Sequence, residues 1–165
     1  MSELSFEVLY RDEHLMEVLV TAKNDRFAGA SAIYLDSDGQ QLIEMANRLT
    51  GFPKDIKQVE EIEFGSIQED GNIFEIKPDT QAKVMTAYLG LRFYCSDRAG
   101  HSVVSVKIIE DSWSESPNAI GKASFEIRFE PSQLDDFVKE VVELGKSKSG
   151  KAILKGVQDE KDSFI

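Results

Sequence analysis

Cysteine, histidine, tryptophan and basic residues are all scarce in this chain of 165 residues, and each scarcity closes a line of chemistry. The single cysteine, Cys95, leaves no internal disulfide to form. Together with His14 and His101 it falls short of the roughly four Cys or His ligands of a structural zinc site, and none of the three stand at ligand spacing. No stretch approaches the roughly 20 apolar residues that span a bilayer. The opening MSELSFEVLY lacks the basic start and apolar run of a secretory signal, so a cytoplasmic location is the expectation. Neither G-x-x-x-x-G-K-[ST] nor G-x-G-x-x-G is present, which removes two phosphate-binding loops, and no G-x-S-x-G elbow marks a serine nucleophile. The nearest approach to a phosphate loop, GKSKSGK, follows a helix and reads as a flexible basic connection. No cofactor is expected. Basic residues number 19 against 30 acidic ones, a formal charge of −11, and such a field repels phosphate backbones and anionic lipid. Nucleic acid and membrane are therefore excluded as expected partners, whereas a basic protein is attracted.

What is present is a folded composition: 41% hydrophobic and 30% charged residues lie near the globular average and far from disorder. The length suits a single domain over 1–155, and the charge-rich tail 156–165 is expected to fray.

Strict alternation predicts a strand over 83–95, where Met85, Ala87, Leu89, Leu91, Phe93 and Cys95 share one face. In the next strand Ser102, Val104, Val106 and Ile108 form the more apolar face. An antiparallel hairpin must bring both apolar faces to one side, which sets Phe93 opposite Val104 and Cys95 opposite Ser102. Ser96 then faces His101 across the loop Asp97-Arg98-Ala99-Gly100, whose glycine supplies the positive φ such loops need. Cys95 and His101 point to opposite faces, so they form no reactive or metal-binding pair. Cys95 reads as a small core residue, His101 as a strand-end residue, and His14, in the turn YRDEHL, as exposed.

Helical spacing is equally legible. Leu42, Met45, Ala46 and Leu49 line one face of a helix over 40–50, with Ser37 or Asp38 as its cap and Gly51 and Pro53 as its stop. A second helix follows Pro131, with Ser132 as N-cap, Asp135 and Asp136 in its first turn, Leu134, Phe137, Val138 and Val141 as its buried stripe, and Gly145 at its end. Further strands are expected at 6–10, 16–22, 62–64, 72–77 and 152–154. Strands follow strands more often than helices, which predicts an α+β fold with a largely antiparallel sheet and two main helices. Aligning Gly29 with Gly121 also matches Ile33 with Phe125, Leu35 with Ile127, Leu42 with Leu134, Met45 with Phe137, Ala46 with Val138 and Leu49 with Val141. A pseudo-duplicated strand-strand-helix unit is the expectation, over 14–52 and 101–146. Common strand-to-helix packing remains an alternative source of the pattern.

Among candidate sites, YLDSDGQQLIEM fails as a calcium loop: with Gly39 at the sixth place, Tyr34 and Met45 fall where the acidic ligands belong. The block VEEIEFGSIQED concentrates Glu60, Glu61, Glu63, Glu69 and Asp70. It reads either as a sheet edge guarded by charge or as a docking face for a basic partner. Trp113, in a polar loop, is either an interface anchor or a ring folded over the sheet end.

The stretches RFAGASAIYLDSDGQQLIEMANRLTGFP, AYLGLRFYCSDRAGHSVVSVKIIED and ASFEIRFEPSQLDDFVKEVVEL, in that order, resemble small uncharacterised bacterial proteins similar to immunity partners of wall-associated contact-dependent toxins. The resemblance implies binding and neutralising a cognate toxin and carries over no binding residue by position. The functional expectation is a non-enzymatic acidic protein that occludes a basic partner. A small-molecule binder, or a hydrolase using paired carboxylates, is the alternative, and a homo-oligomer that covers Trp113 is a third.

Overall fold

A computed structural model describes residues 1–65, 87–110 and 121–157. Among these it contains eight strands and two helices: β1 (Glu3–Arg11), β2 (Leu15–Lys23), β3 (Ala28–Asp36), α1 (Gln40–Leu49), β4 (Glu60–Phe64), β5 (Tyr88–Cys95), β6 (Ser102–Ile109), β7 (Lys122–Phe129), α2 (Pro131–Ser147) and β8 (Lys151–Lys155). The fold is α+β and every strand pairing is antiparallel. The strands divide between two four-stranded sheets, β3-β2-β1-β8 and β4-β5-β6-β7. The expected strand at 72–77 and the start of the one at 83–95 lie outside the described residues.

Reversing the second order to β7-β6-β5-β4 exposes the plan. Each half of the chain runs strand, strand, strand, helix, strand, and builds a three-stranded meander. Its fifth element then crosses over: β4 joins the meander of the second half, and β8 joins that of the first. Matched residues occupy matched places, for Ile33 faces Val18 across β2 and β3 while Phe125 faces Val106 across β6 and β7. The order common to both halves thus includes a fifth element, a strand that pairs with the meander of the other half.

One continuous hydrophobic cluster draws on both sheets and both helices. Phe6 of β1 meets Phe64 of β4 edge-on at 6.2 Å and Phe137 of α2 at 6.0 Å, so the exchanged strand and the second helix close over the first sheet. Phe93 likewise meets Phe52 at 6.2 Å and Phe129 at 5.9 Å. The β5–β6 hairpin has the expected register, with Phe93 opposite Val104, Cys95 opposite Ser102 and Gly100 at φ 83°. Cys95, the last residue of its strand, is half-buried rather than enclosed, and Val103 and Ile109 are buried on the opposite side of β6.

The helix ends differ from expectation for reasons of packing. Gly39, not Ser37 or Asp38, is the N-cap of α1, at φ 73°. A Cβ there would stand 2.3 Å from the backbone oxygen of Gly145, a distance no side chain tolerates. Asp38 still accepts the Gln40 N–H at 3.0 Å, while the Ser37 hydroxyl donates to Glu13 O at 3.1 Å. Gly145 accordingly does not end α2: it lets α1 approach, and the helix continues to Ser147 with Lys148 as a left-handed C-cap. The start of α2 also shifts. Pro131, whose fixed φ suits a first turn and whose missing N–H costs nothing there, is the first helical residue. Glu130 is the N-cap in place of Ser132, and its N–H donates to Gln133 Oε1 at 2.7 Å. Asp135 and Asp136 therefore fall beyond the first turn. The stretch GKSKSGK is mostly regular, with Gly145, Lys146 and Ser147 in α2 and Lys151 in β8. The start of the expected frayed tail is tied down: Gly156 donates to Ser2 O and Val157 to Arg128 O, both at 2.8 Å. Residues 158–165 lie outside the described residues.

Candidate functional site

Glu60, Glu61 and Glu63 of the acidic block fall on β4, an edge strand among the described residues. Alternation splits it, because Ile62 and Phe64 turn to the core and Glu61 and Glu63 to the outer face. Glu60, on the inward register, is taken up by α1: Arg48 holds its carboxylate at 3.0 and 3.2 Å. Arg48 also donates to the backbone oxygen of Glu61 at 2.5 Å, capping the strand edge. Thirteen residues separate Arg48 from Glu61, and the same 13 separate Glu140 of α2 from Ile153 of β8, whose N–H Glu140 accepts at 3.1 Å. Equivalent helix positions thus protect the two exchanged strands, one with a cation on a carbonyl and the other with an anion on an N–H. Glu69, Asp70 and Trp113 lie outside the described residues.

On the outer face of the second sheet the polar groups satisfy one another. Glu61 pairs with Arg92 at 3.5 Å, and the Arg92 guanidinium lies 4.7 Å from the centre of the Tyr94 ring. Tyr94 donates to Glu126 at 2.6 Å, and Tyr88 to Glu63 at 3.1 Å. Burial, followed by the hydrogen bond to Glu63, pushes the Tyr88 phenol up to about 12. Burial and Glu126 do the same for Tyr94, also to about 12. Neither phenol is a base or nucleophile at neutral pH. A shallow depression of about 200 Å³ between Glu61, Tyr88 and Lys107 is smaller than the roughly 300 Å³ at which small-molecule pockets begin.

The outer face of the first sheet differs. Its far end is paired, Lys23 with Glu3 at 3.7 Å and Lys151 with Glu7 at 3.9 Å. Near the β1–β2 turn, however, Glu17 lies between Tyr10 on β1 and Tyr34 on β3 in one cross-strand row. Tyr10 is 53% exposed and Tyr34 45%, while Glu17 is half-buried and makes no hydrogen bond or ion pair with the described residues. Tyr10 reaches this face because the pairing of β1 with β2 is irregular between Val8 and Tyr10, which leaves Leu9 unpaired and reverses the parity of the strand. Asp12 steadies the turn, accepting the N–H groups of His14 at 2.7 Å and Leu15 at 2.9 Å, and these bonds lower its pKa. It also accepts the Tyr10 hydroxyl at 3.1 Å, which raises the pKa of that phenol. Asp97 closes the equivalent β5–β6 turn by accepting from Ala99 and His101, and its pKa is lowered chiefly by the His101 side chain.

Sequence reasoning missed this row. The outward place of Tyr34 is legible from Ile33 and Leu35 on either side of it, but that of Tyr10 is hidden by the bulge. His14 is exposed, as expected, with 79% of its side chain accessible. Among the described residues no group of three His, Cys, Asp or Glu side chains is placed to hold a metal ion, and no helix is long and apolar enough to cross a membrane. A depression of about 410 Å³ opens between the β2–β3 turn and β7, where Phe27 stacks on Phe125 at 6.2 Å. No family model, curated protein or solved structure matches the chain.

Proposed function

We propose that the protein is a non-enzymatic acidic binding protein that occludes a basic protein partner, in the manner that its resemblance to toxin-immunity proteins implies. The observation that carries this reading is the excess of 30 acidic over 19 basic residues. Charge of this sign raises the association rate with a cationic surface, while exposed aromatics slow dissociation. Cytoplasmic residence is part of the same proposal. Affinity capture with the immobilised chain at low and high salt tests it. A protein of opposite charge, retained at low salt and released at high salt, is the expected result; capture of nothing by the folded chain sinks the reading.

The depression beside Phe27 and Phe125 favours one second reading, a small-molecule site, because its volume of about 410 Å³ lies within the range of ligand pockets and Asp25 and Glu126 line it. A ligand there raises the melting temperature in a small-molecule screen. Substituting Phe27, which is 60% exposed, removes that rise without unfolding the chain.

A further inference from the structure

We infer that the depression between the β2–β3 turn and β7 binds a neutral planar heterocycle of the nucleobase class, stacked on Phe27 and hydrogen-bonded along its edge to the backbone of β7. This deepens the second reading, a small-molecule site, and rests on it. Phe27 supplies the platform. Its ring lies on Phe125 with centroids 6.2 Å apart and planes 24° from parallel, yet Phe27 stays 60% exposed. Asn24 fixes the turn that carries it: Oδ1 accepts the N–H groups of Arg26 and Phe27, both at 2.8 Å, while Nδ2 donates to Glu126 O at 3.0 Å. The platform is therefore tied to the strand beside it before a ligand arrives.

The strand supplies the polar edge. Glu126 O accepts from Asn24 and Arg128 O from the Val157 N–H, so the even-numbered residues of β7 turn their backbone groups away from β6. Ser124 and Glu126 line the depression, and the Ser124 C=O and the Glu126 N–H have no partner among the described residues. An acceptor followed two residues on by a donor matches a flat ring that carries a donor next to an acceptor, as an amino group beside a ring nitrogen does. Ser2 lines the same depression, is only 5% exposed, and has a hydroxyl with no partner among the described residues. A buried hydroxyl in that state gains from a ligand that bonds it. Charge selects the uncharged form. Asp25 and Glu126 are balanced by Arg26 and Arg128, and each is already engaged: Asp25 with the chain's amino group at 3.5 Å, Glu126 with Tyr94 at 2.6 Å, and both arginines in interactions of their own. The net charge of −11 further repels a phosphorylated ligand.

The test titrates the full chain into 2-aminopurine riboside, whose fluorescence is quenched on stacking. Saturable quenching is expected, reversed by adenosine. Purine riboside, which lacks the amino donor, displaces the probe at least about fivefold less well than adenosine. Phe27→Ala and Phe27→Leu each weaken binding at least about fivefold, because leucine keeps apolar bulk but not the stacking face. Ser2→Ala weakens it about two- to fivefold. Tyr10→Ala, at the other end of β2, serves as the control and changes it less than about twofold. Melting curves confirm that each variant is folded. Equal displacement by purine riboside, equal or tighter binding of adenosine monophosphate, or binding indifferent to Phe27 overturns the inference. If indole or another planar probe without the donor–acceptor edge binds in a Phe27-dependent way while the ribosides do not, the small-molecule site stands and this ligand class does not.

Discussion

The two halves of the molecule share one plan and put it to different use. Residues 3–64 and 88–155 each lay down a meander, a helix and an exchanged strand, yet their outer faces are opposites. On the second sheet Tyr88, Arg92, Tyr94, Glu61, Glu63 and Glu126 are joined by hydrogen bonds, an ion pair and a stacked guanidinium. On the first sheet, at the equivalent row, two exposed tyrosines flank a carboxylate that has no partner among the described residues. A face whose polar groups are satisfied internally gains little from a second molecule. One that holds a half-buried carboxylate unpaired gains when a cation arrives.

The largest expected effect probes whether the halves are one cooperative unit. Phe6→Ala removes ring contacts to β4 and α2 at once and lowers the unfolding free energy by about 3–5 kcal/mol, read from urea denaturation. Leu89→Ala, on the central strand of the other half, is expected to cost about 2–5 kcal/mol. Both variants should unfold in a single transition. Separate transitions for the two halves break the comparison.

Next in size is the helix contact. Gly39→Ala places a Cβ against Gly145 in a left-handed backbone and costs about 3 kcal/mol or more. Gly100→Ala, also at positive φ but with no atom near the added carbon, costs about 1–2 kcal/mol. Equal costs at the two positions would remove the close approach of α1 and α2 from the explanation.

Smaller still are the strand-edge caps. Arg48→Ala leaves Glu60 half-buried without its cation and costs about 1–2 kcal/mol, whereas Glu140→Ala costs about 1 kcal/mol or less. Hydrogen exchange sharpens the contrast, because the Ile153 amide should exchange faster in Glu140→Ala and remain protected in Arg48→Ala.

A further effect lies at high pH. Tyr88 and Tyr94 hold their protons to about 12 in the folded chain, but to about 10 when unfolded. Their contribution to stability is therefore intact below pH 10 and is lost as pH rises through 12. A Tyr88→Phe, Tyr94→Phe chain should show a flatter decline of the urea midpoint over that window. An unchanged decline would assign the alkaline sensitivity to other groups.

Much of this architecture can be read before folding. Period-two alternation located β5 and β6, and the facing of Phe93 with Val104 followed from placing two apolar faces on one side. The stripe Leu42, Met45, Ala46 and Leu49 marked α1. The three described acids of the block were legible as charge on an edge strand. Their separate fates were not, because whether Glu60 meets Arg48 depends on where α1 lies against β4. The Tyr10 row was hidden for a similar reason, since one extra residue at Leu9 inverts the parity from which facing is inferred.

The chain by itself therefore determined the elements, the hairpin register of β5 and β6, and the acidic field, because these depend on spacing and composition along short stretches. Only the tertiary structure decided that β4 and β8 change sheets, that Gly145 admits α1 instead of ending α2, and that Glu17 stands between two tyrosines. Each of these requires surfaces distant in sequence to meet, and their shapes and charges select the partner once the shared core has closed.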